Sequence, residues 1–198
     1  MKIIRSLTAS AVFLLILFIV YYVHINYLKV DVVFYAAIFD GVLASIISAA
    51  ILFSLTFFRP LGNYEKFQLI IIWIITGYAF AISGPTVIDR SLSFYILEKI
   101  QQRGGGIRQD AFEQVFTHEY VREHRLVDVR LTEQLESGTI LIEDGCVRLT
   151  KKGDRLANFS RYFRQHFLPK KRLLLNQYTD ALIDPFLGSD VIPDYLCK

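Results

Sequence analysis

Three long apolar segments dominate the first half of the chain and predict membrane-spanning helices. They cover residues 6–28, 32–58 and 67–88, and the only Asp, Glu, Lys or Arg among them is Asp40. Each segment is at least as long as the roughly 20 residues that a helix needs to cross about 30 Å of hydrocarbon. A helix also satisfies its own backbone amides in lipid. The pattern therefore predicts a membrane domain over residues 1–90 and an integral membrane protein that contacts the lipid bilayer.

Small residues recur at every fourth position on the second and third predicted spans. Gly41, Ser45 and Ala49 share one face of the second span, and Gly77 and Ala81 share one face of the third. Such spacing lets helix backbones approach each other closely. We expect these faces to pack against protein, either another helix of the chain or a partner subunit.

Asp40 lies about eight residues, or about 12 Å, inside the second predicted span. A carboxylate at that depth costs a few kcal/mol unless it is protonated or partnered. One interpretation is that Asp40 forms a hydrogen bond with a hydroxyl or with His24 on a neighbouring helix and fixes the packing. The other is a contact with a proton, an ion or a partner subunit.

The third predicted span ends in a glycine–proline pair followed by two charges. Gly84 and Pro85 predict a break in the helix, because proline lacks a backbone donor. Asp89 and Arg90 come directly afterwards. We expect both at the membrane interface, where they contact lipid headgroups or pair with each other.

Composition agrees with this division of the chain. Hydrophobic residues make up 53% of the sequence, whereas nearly all charged residues lie outside the three segments. This distribution excludes a disordered chain and a simple soluble enzyme. Two cysteines are too few for a disulfide scaffold.

From Ser91 onward, the hydrophobic positions follow the pattern of short amphipathic helices. They predict one helix ending near Gln102, a second over 112–120 and a third over 127–137 that ends at Gly138. The apolar face of the first of these helices is expected to comprise Leu92, Phe94, Ile96, Leu97 and Ile100.

A β-hairpin and a fourth helix are predicted next. The pair Asp144-Gly145 separates the apolar runs 139–143 and 146–150, which is a strong hairpin signal. Thr150 is a suitable N-cap for the helix that follows, which carries phenylalanines at every fourth position. This aromatic stripe, Phe159, Phe163 and Phe167, is expected to pack in a core with Leu97, Phe116 and Leu131.

The region after the hairpin resembles a known fold family. The pattern Leu135-x-x-Gly138-x-Ile140, followed by residues 147–157 with their Leu149-Thr150-x-x-Gly153, resembles the wing and last helix of winged-helix domains of the MarR and PadR kind. The resemblance covers residues 92–167. It implies a winged-helix domain over 91–168. Together with the three predicted transmembrane helices, the expected fold is mainly α. The resemblance also implies DNA binding, with the third helix in the major groove.

The charges in this region argue against DNA. The candidate recognition helix carries three acids and one arginine, and the wing tip carries Glu143 and Asp144, so phosphate would be repelled at both contacts. Residues 91–168 hold 12 basic and 11 acidic side chains, without the basic excess of a DNA-binding domain. We expect a protein-interaction surface that comprises Arg130, Glu133, Glu136, Lys151, Lys152 and Arg155.

Catalytic and cofactor motifs are absent from the sequence. It contains no G-x-S-x-G, H-E-x-x-H or C-x-x-C pattern and no Walker lysine. The prediction is a non-enzymatic accessory or scaffolding subunit, without a cofactor or metal, that joins another membrane protein or a second copy of itself. The layout is similar to that of small bacterial membrane proteins that accompany envelope-polysaccharide enzymes. The alternative is a membrane-tethered winged-helix transcription regulator.

The orientation of the chain in the membrane decides whether its two cysteines are expected as thiols or as a disulfide. Four basic residues flank one side of the predicted spans and five flank the other, so the count does not decide the orientation. We expect a bacterial inner-membrane protein, and analogy with other winged helices favours a cytoplasmic C-terminal domain. Cys146 and Cys197 would then be thiols, whereas outside the cytosol they would form a disulfide. The apolar tail, 169–198, is expected to dock on the domain, the membrane or a partner.

Overall fold

The computed structural model describes residues 2–186 and residue 197. The fold is mainly α-helical, and the chain forms two compact units, residues 1–127 and residues 128–198. The predicted order of three long helices, three shorter helical stretches, a hairpin and a final helix is confirmed.

Three helices of the first unit are long and apolar enough to cross a membrane, which indicates an integral membrane protein. They are α1 (Lys2–Tyr27), α2 (Val33–Ser54) and α3 (Asn63–Ala81). Helix α2 packs against both α1 and α3. The core between them is built around the Phe13 and Trp73 rings, which stack with their centroids 5.4 Å apart.

The predicted break at Gly84 and Pro85 is wrong. The helix continues through a π-helical turn, Ile82–Thr86, into α4 (Val87–Arg90). A π-helical turn is wider than an α-helical one, and it accommodates a proline that lacks the N–H and would collide with the preceding carbonyl. The continuous helical segment therefore runs from Asn63 to Arg90.

The first unit continues with α5 (Leu92–Gln102), which begins where Ser91 Oγ accepts a hydrogen bond from the Phe94 backbone N–H. A 3₁₀ turn (Gln109–Ala111), α6 (Phe112–Gln114), a second π-helical segment (Val115–Tyr120) and α7 (Val121–Glu123) follow.

The expected apolar face of α5 is wrong. Its buried residues are Tyr95 and Lys99, whereas Leu92, Phe94 and Leu97 remain exposed. The reason is that Lys99 forms ion pairs with Glu119 and Glu123 of the following helical segments, so the polar side of α5 is the buried one.

The second unit contains the hairpin and the last helix. Helix α8 (Leu126–Glu136) leads into β1 (Ile140–Glu143), which pairs antiparallel with β2 (Cys146–Leu149). The turn residues Asp144 and Gly145 adopt φ of 51° and 74°, as a tight hairpin requires. Helix α9 (Lys151–Phe167) and a second hairpin, β3 (Arg172–Leu174) with β4 (Gln177–Thr179), follow. The sequence analysis missed this second hairpin.

The turn into α9 is fixed by Thr150 and Gly153. Thr150 Oγ1 accepts a hydrogen bond from the Gly153 backbone N–H at 3.1 Å and donates to the Gly138 carbonyl at 2.8 Å. A Cβ on Gly153 would overlap the carbonyl oxygen of Thr139. This contact therefore requires glycine and gives the Leu-Thr-x-x-Gly pattern of residues 149–153 a physical reason.

The aromatic stripe of α9 does not lie in a core, which corrects the packing expectation. Phe159, Phe163 and Phe167 are 60%, 43% and 64% exposed. Among the described residues of the second unit, the buried ones are Thr139 and Gly153, and neither is a large apolar residue. Helical periodicity identified the amphipathic helix, but it carries no information about what covers the apolar side.

Cys146 and Cys197 form a disulfide, which contradicts the expectation of two thiols. Their Cα atoms are 5.9 Å apart, within the usual range for a disulfide, although 51 positions separate them in the sequence. The bond joins the start of β2 to the end of the chain. Residues 187–196 of the tail lie outside the described residues, so the docking expected for them stays a prediction.

Candidate functional site

Asp40 and His24 form a buried pair between α1 and α2. His24 Nδ1 lies 2.7 Å from Asp40 Oδ1. Asp40 is fully buried, and the His24 side chain is 14% exposed. Of the interpretations of Asp40, the structure thus shows the hydrogen bond to His24. The second carboxylate oxygen, Oδ2, is buried without a hydrogen-bond partner among the described residues.

The small residues beside Asp40 form the crossing point of α2 and α3. A Cβ on Gly77 would lie 2.9 Å from Gly41 Cα, so the two backbones are in direct contact. Ser45 Oγ donates to the Gly41 carbonyl at 2.8 Å and is buried, as is Ala81. Ala49 is half-buried. The predicted small-residue faces therefore pack within the chain.

Asp89 and Arg90 occupy the end of the third span. Asp89 is exposed, whereas the Arg90 guanidinium lies over the Phe34 ring at 5.9 Å from its centroid. This cation–π contact ties α4 to the start of α2. Their proposed contact with lipid headgroups stays a prediction.

An ion-pair cluster that the sequence analysis missed lies just beyond the membrane helices. It comprises Lys99, Glu119, Glu123, Arg103 and Tyr95. The Lys99 ammonium is buried and lies 2.7 Å from a Glu119 oxygen and 2.6 Å from a Glu123 oxygen. The Tyr95 hydroxyl donates to Glu123 at 2.8 Å. The cluster therefore joins α5 to the π-helical segment and α7.

The ion pairs of this cluster stabilise the charged forms of its side chains, which is typical of a structural role. Hydrogen bonds to Glu119 and Glu123 raise the pKa of Lys99 well above its ordinary value, and their bonds with Lys99 lower the pKa of both glutamates. Lys99 is thus protonated at neutral pH and is not a nucleophile. An open cavity of about 410 Å³ lies beside it, lined by Tyr95, Glu98, Lys99, Gln101, Gln102, Glu123 and His124.

The spacing of its residues is the one weak indication of this cluster in the sequence. Tyr95 and Lys99 are four residues apart, as are Glu119 and Glu123, so each pair shares one helix face. The two pairs lie about twenty residues apart along the chain, and a glycine-rich loop separates them. Only the tertiary fold brings them together.

The expected interaction surface lies along α8 and the start of α9. Arg130 Nη1 bonds Glu133 Oε2 at 2.8 Å, which offsets the single arginine charge of α8. Glu136, Lys151 and Arg155 are exposed. Lys152 donates to the Ser137 carbonyl near the C-terminal end of α8, where a cation is favourable. The one arginine of α8 is thus paired, and Glu136 is exposed at the end of the helix.

The predicted site residues thus gather in separate places. Asp40, Gly41, Ser45 and Gly77 meet at the interfaces between membrane helices, and Asp89 and Arg90 lie at the end of the third span. The charged surface residues belong to α8 and α9. No protein-family model, curated protein or solved structure matches this chain.

Proposed function

We propose that the chain is a non-enzymatic accessory or scaffolding subunit of a membrane complex. Its three helices anchor it in a bacterial inner membrane, and its winged-helix-like region of the MarR and PadR kind holds another membrane protein, in the setting of envelope-polysaccharide synthesis. Two features support this proposal. The buried Lys99 is neutralised by carboxylates rather than poised for chemistry, and charged side chains of α8 and α9 lie exposed on the second unit.

The disulfide is the observation that carries the proposal. Disulfides persist outside the cytosol and are rare within it, because cytosolic thiols are kept reduced. The third span ends at Arg90, so everything after it lies on one side of the membrane. A Cys146–Cys197 bond therefore favours a C-terminal region outside the cytosol, and this orientation replaces the cytoplasmic one suggested by analogy.

Orientation separates the two candidate functions. A transcription regulator requires its DNA-binding region in the cytosol, whereas an accessory subunit of an envelope complex does not. The composition of α8 favours the same choice, because the helix carries three acids and one arginine, and this net negative charge repels phosphate.

The test is co-purification of the full-length protein from gently solubilised membranes, with a matched pair of variants. In the first, Arg130→Ala and Glu133→Ala remove the α8 ion pair. In the control, Arg108→Ala and Asp110→Ala remove an exposed pair of the first unit. We expect a stoichiometric membrane partner that is lost from the α8 variant and retained by the control. A salt-sensitive, sequence-selective shift of duplex DNA by the full chain would instead establish the regulator and overturn the proposal.

A further inference from the structure

Helix α9 exposes a continuous apolar stripe. Leu156 is 54% exposed, and the three phenylalanines of the aromatic stripe are at least 43% exposed. The rings of Phe159 and Phe163 lie 6.0 Å apart, and those of Phe163 and Phe167 lie 5.3 Å apart. The side chains thus contact one another along the helix.

The charges of α9 are arranged around this stripe. The helix carries one acid, Asp154, and five basic residues, Lys151, Lys152, Arg155, Arg161 and Arg164. At about 100° per residue, Arg155 and Arg164 flank the stripe on its two sides, whereas Asp154 points to the opposite face. There Asp154 accepts a hydrogen bond from Asn158 at 3.3 Å. Arg155 is exposed at one border of the stripe, whereas Arg164 at the other border is half-buried and lines a cavity together with Asp184 of the tail. Asp154, the one acid of the helix, is turned away from the stripe.

Another face of α9 is already covered by the chain itself. Residues 183–186 and the α9 residues Ala157, Ser160, Arg161 and Arg164 together line a cavity of about 270 Å³. The described part of the tail thus borders the side of α9 next to the stripe. Among the residues that the structure describes, the stripe stays exposed.

We propose that α9 is an interfacial helix that docks on an anionic lipid surface. An amphipathic helix with aromatic residues on one face and basic residues at its borders places the aromatics at the boundary of headgroups and acyl chains. Lysine and arginine beside such a helix attract anionic headgroups. The three spans tether the chain to a lipid bilayer. A lipid surface is favoured over a protein groove because the exposed Arg155 borders the stripe and the one acid of α9 lies on the opposite face, which matches an anionic plane.

The test uses the full-length protein in bilayer nanodiscs. Trp73→Phe removes the single native tryptophan while keeping a ring to stack on Phe13, and Phe163→Trp places a probe in the stripe. In nanodiscs of phosphatidylcholine mixed with anionic phosphatidylglycerol, we expect a blue-shifted emission that brominated lipids quench. In phosphatidylcholine alone, we expect the quenching to be lost. Arg155→Ala is expected to weaken docking about fivefold, because each basic residue near an anionic surface contributes a similar increment.

The matched control is Asn158→Trp, on the opposite face of the same helix, which we expect to stay unquenched in both bilayers. Three results would overturn the proposal. The first is no quenching of the probe at position 163 in anionic nanodiscs, and the second is equal quenching in both lipids. The third is a blue shift in lipid-free detergent that grows with protein concentration, which would assign the stripe to a second copy of the chain. None of these results depends on the partner of the proposed complex.

Discussion

At the scale of single residues, Asp40 is a fully buried carboxylate on a helix that is long and apolar enough to span a membrane. A fully buried carboxylate in a membrane helix requires a partner, and His24 supplies one at 2.7 Å from α1. The sequence identified Asp40 and gave His24 as one of its alternatives. It did not choose between His24 and a hydroxyl, because that choice depends on the rotation of α1 against α2.

A single variant and a double variant test this pair. His24→Leu leaves Asp40 buried without its partner, and we expect a loss of about 3–5 kcal/mol in the free energy of unfolding. Adding Asp40→Leu removes the unpaired acid and is expected to restore most of that loss. Unfolding of the purified protein in detergent measures both variants. A double variant that is less stable than His24→Leu alone would show that the pair does not couple the helices.

At the scale of elements, the crossing of α2 and α3 depends on two glycines. Because Gly41 and Gly77 touch through their backbones, a methyl group on either one must push the helices apart.

We expect Gly77→Ala to lower the free energy of unfolding by about 1–3 kcal/mol, as overpacking does. The control is Gly84→Ala on the same helical segment, where the new Cβ would meet only Phe80 at an ordinary 3.6 Å. Thermal unfolding in detergent compares the two variants. Equal effects would mean that the Gly41–Gly77 contact does not limit the approach of the helices.

Sequence patterns predicted these elements unevenly, for physical reasons. The four-residue spacing of small residues gave the packing face correctly, because spacing on a helix fixes which residues share a side. The predicted break at Gly84 and Pro85 is wrong, because helix propensity does not take into account that a π-helical turn can accommodate a proline. The β3–β4 hairpin was missed because Leu175, at φ 45°, occupies a left-handed turn position that leucine rarely adopts.

At the scale of the whole molecule, the order of elements was predictable and their burial was not. The Asp144-Gly145 turn and the Thr150 cap are local signals, and both are confirmed. The exposure of Phe163 and the pairing of Cys146 with Cys197 depend on contacts between distant parts of the chain. The spacing of residues along the sequence predicts neither that exposure nor that pairing.

The central claim is that the C-terminal region lies outside the cytosol and is held by its disulfide. Labelling by a membrane-impermeant thiol reagent in intact cells tests it most directly. Two controls in a Cys146→Ser, Cys197→Ser background calibrate the sides. Lys29→Cys lies in the α1–α2 turn, on the side of the C-terminal region, and Arg59→Cys lies on the opposite side. Both positions are exposed.

We predict that Lys29→Cys is labelled in intact cells and that Arg59→Cys is not. In the native sequence, we predict that Cys146 and Cys197 react with the reagent only after an impermeant reductant has been added to the intact cells. Labelling of both native cysteines after permeabilisation without any reductant, together with no labelling in intact cells, would show cytosolic thiols and contradict the account.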